Sequence, residues 1–355
     1  GDPTERDLFW ALCGAGCGNF GVIVRYYFER LPDAPAHATL WTLAWDWADM
    51  DLRAFGNLLA EYAEMVQTMA DTDFSLLKLN HSANGQLGMI LQTVSPPDTP
   101  YAQHCRRAED SIRSAQARFA RIAPARTLRR PFNGHPGMMH GLPSSSDAQH
   151  LTYLEALQTL NGSGPNQFGK YKSAYMKQAF PADQVEAIHH WLQVVPAGVQ
   201  AADMAQSLLQ VDSYGGAINR RASDATAVPQ RTSIMKLQYQ TYWNNAAEPG
   251  QSHRPPFAAQ EAAHVGWIDT FYRAVYAGYG GTPDPARDRD GVVDGCYFNY
   301  PDIALGSHRA GDAERALWLY FLDNYRNRPR NLLQVKRQWD PANVFHHAQS
   351  LPVVP

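Results

Sequence analysis

Ser233-Ile-Met-Lys-Leu-Gln-Tyr-Gln-Thr-Tyr-Trp243 has the two-residue period of a β-strand. In that conformation Lys236, Gln238, Gln240 and Tyr242 share one face, while Met235, Leu237, Tyr239 and Trp243 share the other. A solvated face usually carries several charges or a mix of Thr and Ser. This one carries a single charge among amides. Two readings stand for it: an exposed antiparallel strand, or the polar floor of a binding site.

Strand and helix patterns alternate on either side of this segment. Thr39 to Trp45 and Gly85 to Val94 are predicted strands, and residues 50–70 and 101–121 are predicted amphipathic helices. Thr4-Glu-Arg-Asp7 has the form of a capping box, and Leu8, Phe9 and Leu12 follow on one helical face. That helix ends in Gly14-Ala-Gly-Cys-Gly18, after which Val22 to Leu31 is predicted as a strand closed by Pro32. Clustered Pro, Gly and Ser mark loops at Pro131 to Asp147 and Ala222 to Arg231. The polar stretch Thr282 to Asp294 suggests a boundary, and residues 312–338 suggest one long closing helix that stops before Asp340-Pro341.

The 355 residues suffice for about two domains, and 45% hydrophobic with 18% charged residues is an ordinary globular composition. A net charge of -3 gives no reason to expect nucleic acid or an anionic membrane as partner. No apolar run is long enough to span a bilayer. Four cysteines are too few for a disulfide scaffold, and Cys13 with Cys17 lacks the second ligand pair that zinc requires, so no metal is expected. Asn80-His-Ser82 and Asn161-Gly-Ser163 are glycosylation sequons, relevant only in a secreted protein.

Gly16-Cys-Gly18-Asn-Phe-Gly21 matches the dinucleotide fingerprint in letters only. That fingerprint works after a strand and before a helix, whose N-terminus faces the pyrophosphate; here the order is reversed. Such glycines still serve a backbone that bends sharply or lies close to a ligand. In Tyr297-Phe-Asn-Tyr300, read as a strand, Tyr297 and Asn299 share a face and Tyr300 takes the opposite one. Tyrosine pairs on strands are usually structural. A phenol titrates near pH 10, so as a general base it needs help, which an ammonium such as that of Lys236 would give.

Taken together, Asp7-Leu-Phe-Trp-Ala-Leu12, Gly18-Asn-Phe-Gly-Val22, Lys170-Tyr-Lys-Ser-Ala-Tyr175, Tyr214-Gly-Gly216, Lys236-Leu-Gln238, Tyr297-Phe-Asn-Tyr-Pro-Asp302 and Lys336-Arg-Gln-Trp-Asp-Pro-Ala-Asn-Val-Phe345 resemble the berberine-bridge-enzyme-like FAD-linked oxidases. These belong to the vanillyl-alcohol-oxidase (PCMH-type) flavoproteins. The resemblance covers nearly the whole chain and departs at Cys13 and Cys17, where family members carry glycine or arginine. It implies an α/β (α+β) fold, with an antiparallel-sheet substrate domain over 34–290 and helices on its outer side. Residues 1–33 and 291–355 would then be the edges of an FAD-binding domain. Most of that domain, including the family's flavin-linking His and Cys, would lie outside this chain, on a longer chain or a second polypeptide.

The resemblance also implies residue roles. Tyr297, Lys236 and Gln238 would be catalytic. Gly18, Asn19, Phe20, Gly21, Val22, Asn299 and Tyr300 would hold FAD. Tyr214, Lys172 and Gln240 would bind the substrate, a small alcohol, sugar or phenol. Tyr297, assisted by Lys236, would take the hydroxyl proton as hydride passes to flavin N5, with dioxygen or another acceptor reoxidising the flavin. The alternatives are an oxidative cyclase or an amine or phenol oxidase of secondary metabolism, or a flavin-free binding protein. The family resemblance slightly favours secretion.

Overall fold

A computed structural model describes residues 2–16, 18–128, 147–161, 168–243 and 257–354. Cys17, most of the loop predicted over Pro131 to Asp147, and residues 162–163 of the second sequon lie outside the described residues. Among the described residues seven strands form one antiparallel sheet. They are β1 (His37–Asp46), β2 (Asp73–Asn80), β3 (Gln86–Val94), β4 (Gln149–Thr152), β5 (Phe168–Met176), β6 (Leu208–Ser213) and β7 (Met235–Trp243), in the order β4-β1-β3-β2-β6-β7-β5. The antiparallel sheet agrees with the fold implied by the motifs, and β7 matches the quoted alternation.

The apolar face of the sheet carries α2 (Leu52–Thr68), α3 (Tyr101–Phe119), α5 (Ala182–Trp191) and α6 (Phe257–Val275). Helix α2 starts where the Asp51 carboxylate accepts the Ala54 amide at 2.7 Å, and it buries Phe55, Leu58, Leu59, Tyr62 and Val66 along one stripe. These pack with Leu77, Met89, Val211 and Leu237 of the sheet in one core. The Tyr62 hydroxyl donates to the carbonyls of Ser75 and Val211, so a buried phenol finds partners on two strands. On the opposite face, α4 (Tyr153–Asn161) covers β1, burying Ala38, Leu40 and Ala156 together. The β6-β7-β5 part of that face is left to polar side chains. The chain closes through α7 (Ala313–Phe321), the short α8 (Asp323–Arg326) and α9 (Leu332–Trp339). Among the described residues no helix is long and apolar enough to cross a membrane.

Four local expectations are corrected. Helix α1 (Pro3–Leu12) exists, but its cap is the Asp2 carboxylate on the Thr4 amide at 3.0 Å, with proline in the first turn, instead of the Thr4 box. Val22 to Leu31 is exposed, Tyr27 to 83%, and forms no strand with any of the described residues. β-Branched and aromatic residues suit a strand, but a strand exists only where a neighbour takes its backbone hydrogen bonds. The long closing helix is broken because Leu322 takes φ 46, which turns the chain between α7 and α8. Finally, Tyr297 to Tyr300 is a turn closed by the Tyr300 amide on the Tyr297 carbonyl at 3.1 Å. The first sequon is spent structurally: Asn80 is buried in β2 and donates to the Gln86 carbonyl at 3.0 Å.

Candidate functional site

Register decides what shares the open sheet face. Lys236 of β7 stands opposite Asp212 of β6 and Tyr175 of β5, and Gln238 stands opposite Gln210 and Ser173. Directly opposed residues point to the same side, so β5, β6 and β7 contribute to one polar floor. Its hydrogen bonds form a chain. Asp212 accepts Gln210 at 2.7 Å and Gln238 at 2.8 Å, Gln240 donates to Gln238 at 3.1 Å, and the Tyr242 hydroxyl donates to Gln240 at 2.8 Å.

The tyrosine turn stands over this floor. It is pinned where the Tyr297 amide donates to the Ser173 hydroxyl at 2.9 Å. Because the segment turns, the rings of Tyr297 and Tyr300 approach to 5.1 Å edge to face, where a strand would have separated them. The Lys236 ammonium lies 5.1 Å from the Tyr297 ring centre and 5.2 Å from that of Tyr300. The Asn299 amide donates to the Tyr297 hydroxyl at 2.9 Å. Tyr175 continues the aromatic row, 6.3 Å from Tyr297 and 5.1 Å from Tyr214, whose hydroxyl donates to the Gln230 carbonyl at 3.1 Å.

Electrostatics sharpens this arrangement. Burial, the largest influence, would by itself lower the Lys236 pKa, but the Asp212 carboxylate, 3.1 Å away, together with Tyr300 and Tyr297 outweighs it, and the ammonium is held above the usual lysine value. Tyr300 is raised by burial, against the opposing pull of Lys236. Tyr175 and Tyr214 are raised chiefly by burial as well. The site thus holds a permanent cation between two phenols and one carboxylate.

The cofactor-binding candidates split into two groups. Asn19 and Phe20 are buried anchors. The Asn19 carbonyl accepts the Lys336 ammonium at 2.8 Å, its side-chain oxygen accepts the Leu351 amide at 2.8 Å, and its amide donates to Ala15 at 3.1 Å. Gly18, Gly21 and Val22 face outward, and a Cβ on Gly21 would meet nothing within 4 Å. The two motifs touch: at Gly16, φ +70, a Cβ would fall 2.0 Å from the Phe298 ring and 3.1 Å from Asn299 Oδ1. Only glycine lets the two turns stack.

Lys336 is wholly buried, bonding Asp340 at 2.6 Å and the Phe345 carbonyl at 2.6 Å besides Asn19. Asp340 also accepts the Val344 and Phe345 amides, so the capping turn after α9 is tied to the glycine turn. We expect Lys336→Met to cost about 3 kcal/mol, since it strands a buried carboxylate and two carbonyls. Urea unfolding measures this, and a loss below about 1 kcal/mol would show that the clamp contributes little.

One candidate is not brought to the site. Lys172 lies on the opposite face of β5, nearly fully buried, bonding Asp302 Oδ2 at 2.5 Å and lying 4.9 Å from the Tyr272 ring centre. Asp269 Oδ1 is 2.8 Å away, a charge contact without hydrogen-bond geometry. The two-residue period puts Lys172 beside Lys170 and Ala174, away from Tyr171, Ser173 and Tyr175. Conversely, Asp212, Gln210 and Tyr175 join the site without having been singled out. The alternation Gln210, Asp212 against Leu209, Val211 is the signal that would have found them.

Comparison with known proteins bears on the fold that carries this geometry. Residues 296–352 match the family model described as berberine and berberine like. Across 99% of its length the chain is 37% identical to a hexose oxidase of Chondrus crispus, covering 63% of that protein. It is 28% identical to an aclacinomycin-N/aclacinomycin-A oxidase of Streptomyces galilaeus, covering 58% of that one. The chain therefore spans about three-fifths of the length of these relatives. Among solved structures, the oxidoreductase of the terminal step of gilvocarcin biosynthesis superposes with a TM-score of 0.75 at 26% identity, over 99% of this chain and 65% of that one. Residues 296–352 are thus a berberine-like domain, and the fold of the chain is shared with that solved oxidoreductase, in keeping with the resemblance that the sequence motifs carry.

Proposed function

We propose that the protein is an FAD-linked oxidoreductase that oxidises a sugar or alcohol hydroxyl, with dioxygen as final acceptor. The observation that carries this reading is the bonded row Gln210, Asp212, Gln238, Gln240 and Tyr242, joined at Asp212 to Lys236, which lies against the Tyr297 ring. Each amide offers a donor and an acceptor, which suits the many hydroxyls of a sugar, and the neighbouring phenol and ammonium suit the taking of a proton. The relatives named hexose oxidase and aclacinomycin oxidase support the same class of substrate.

The residues present suit a flavin at the junction of the two turns. Gly21 leaves backbone open, and Gly16 is flush against Phe298 and close to Asn299 of the tyrosine turn. When bound, FAD supplies the two-electron acceptor for the hydride of the carbinol carbon. Tyr297 takes the hydroxyl proton, Asn299 orients its oxygen, and Lys236 stabilises the phenolate. Gln238 and Gln240 orient the substrate, with Tyr214 closing the far side.

The direct test is to supply the FAD-loaded protein with hexoses, simple alcohols, phenols and amines while following hydrogen peroxide. Peroxide from a hexose or alcohol is the expected result; turnover only with phenols or amines would replace this reading, and turnover with nothing would remove it. Within the same assay, Lys236→Met should move the pH optimum upward, because a phenolate without its cation forms only at higher pH. An unmoved profile would mean that Lys236 does not tune Tyr297.

A further inference from the structure

One carboxylate heads the polar floor. Asp212 stands on β6 opposite Lys236, and its exposure is 6%. One of its oxygens accepts the Gln210 amide at 2.7 Å. The other accepts the Gln238 amide at 2.8 Å and lies 3.1 Å from the Lys236 ammonium. Three donors thus meet on one side chain. A carboxylate offers acceptor sites only, about four of them, and can take all three. An asparagine there would have a single acceptor oxygen and an amide that must itself donate.

The acceptor-only head sets a direction along β7. Gln238 must turn its nitrogen to Asp212, so its carbonyl faces Gln240, which turns its own nitrogen to it at 3.1 Å. The Gln240 carbonyl then faces Tyr242, whose hydroxyl donates at 2.8 Å. Every donor in the row therefore points toward Asp212. The row uses one N–H and one carbonyl lone pair of Gln238 and of Gln240, and the directions of the second N–H and lone pair are set along with them.

We propose that Asp212 is the positioning residue of this site: it holds the Lys236 ammonium beside the two phenols and fixes the direction in which the glutamine row presents donors and acceptors to a substrate. This rests on the oxidoreductase reading. One oxygen, shared by Lys236 and Gln238, ties the group that assists proton removal to the first amide that orients the substrate. The same anchor keeps Lys236 at 5.1 Å and 5.2 Å from the Tyr297 and Tyr300 ring centres. Burial alone would favour the uncharged amine at Lys236, and the Asp212 carboxylate leads the influences that reverse this. Without it the ammonium would be a buried charge short of its partner.

Kinetic and equilibrium measurements on the full chain test this. With FAD bound and the hexose or alcohol that yields peroxide, Asp212→Asn should lower kcat about tenfold, as a slightly misplaced reacting group does. It should also raise KM about fivefold, as loss of a fixed hydrogen bond does. In a Lys236→Met background the same substitution should leave kcat within about twofold while still raising KM. A merely structural part would act equally in both backgrounds. A kcat loss as large without Lys236 overturns the proposal, and so does an unchanged KM. The second measurement, urea unfolding, needs no turnover. Asp212→Asn and Lys236→Met should each raise the unfolding constant. The double variant should fall short of the product of the two increases by at least about tenfold, because it leaves neither charge buried alone. Gln238→Leu in place of Lys236→Met should show coupling of the same sign. Independent effects overturn the anchoring, whatever the kinetics. If Asp212→Asn does not fold, the double variant should; a double variant that fails where Lys236→Met folds overturns the proposal too. Absence of turnover by wild type, with the coupling present, counts against the oxidoreductase reading alone.

Discussion

Tyr297→Phe is expected to slow substrate-driven flavin reduction at least about a hundredfold, the lower range for loss of a positioned general base. The fold should survive. The hydroxyl accepts one hydrogen bond, from the half-exposed pair with Asn299, and the turn is held by backbone: the Tyr297 amide on Ser173 and the Tyr300 amide on the Tyr297 carbonyl. The ring and its contacts with Tyr175 and Tyr300 remain in phenylalanine. Anaerobic stopped-flow measurement, with unfolding curves for both proteins, separates chemistry from stability. A rate within threefold of wild type would place the base elsewhere on the floor, with Tyr300 or Asp212 the next groups to replace.

Asp302→Ala is expected to lower stability by about 4 kcal/mol, within the range for leaving a buried charge without its partner. Asp302 is almost completely buried and accepts the ammonium groups of Lys170 and Lys172. It also accepts the Ala304 amide at 3.1 Å, while its own amide donates to the Tyr320 hydroxyl at 3.0 Å. Without it, Lys172 stays buried against Asp269 alone and the tail loses its hold on β5. Asp302→Asn keeps the shape and removes only the charge, so it should lose nearly as much; an Asn variant as stable as wild type would show that the charge is dispensable. Burial would raise the Asp302 pKa, but Lys172 and then Lys170 pull it below the usual carboxylate range. Its folded pKa is thus depressed, and its stabilisation is present above the ordinary carboxylate pKa and lost as pH falls through the lower folded value. The alanine variant should therefore lose less stability to acid than wild type does.

The strength of these two expectations differs in origin. That of Tyr297 could be stated from the motif, since a phenol followed by Asn and Tyr fits proton handling and the motif resembles a known one. That of Asp302 could not: its partners are about 130 residues upstream. Nothing local marks Lys172 as a core ion rather than a ligand-binding cation, and the resemblance assigned it to the substrate. Its burial follows from the register of β5 on β7, a one-residue matter that flips a side chain to the other face.

Strand and helix identities in the middle of the chain were legible because each buries one face, and that burial imposes a period on the letters, as in Ser233 to Trp243, Thr39 to Trp45 and Leu52 to Thr68. Val22 to Leu31 has the composition of a strand and is none here, because pairing belongs to two segments at once. The turn at Tyr297 is set by what it packs on, Ser173, and Leu322 at the break lies against Gly295, whose added Cβ would fall 3.4 Å from it. The sequence by itself therefore determined the sheet-and-helix class, the polar face of β7, and the residue types of the proposed proton-handling site. Tertiary structure decided which of them meet. It set Lys236 under two tyrosines, brought in Asp212 from the neighbouring strand, and sent Lys172 into the core. Side-chain charge is written locally, whereas its partners are chosen by strand register and by the closing of loops over long stretches of chain.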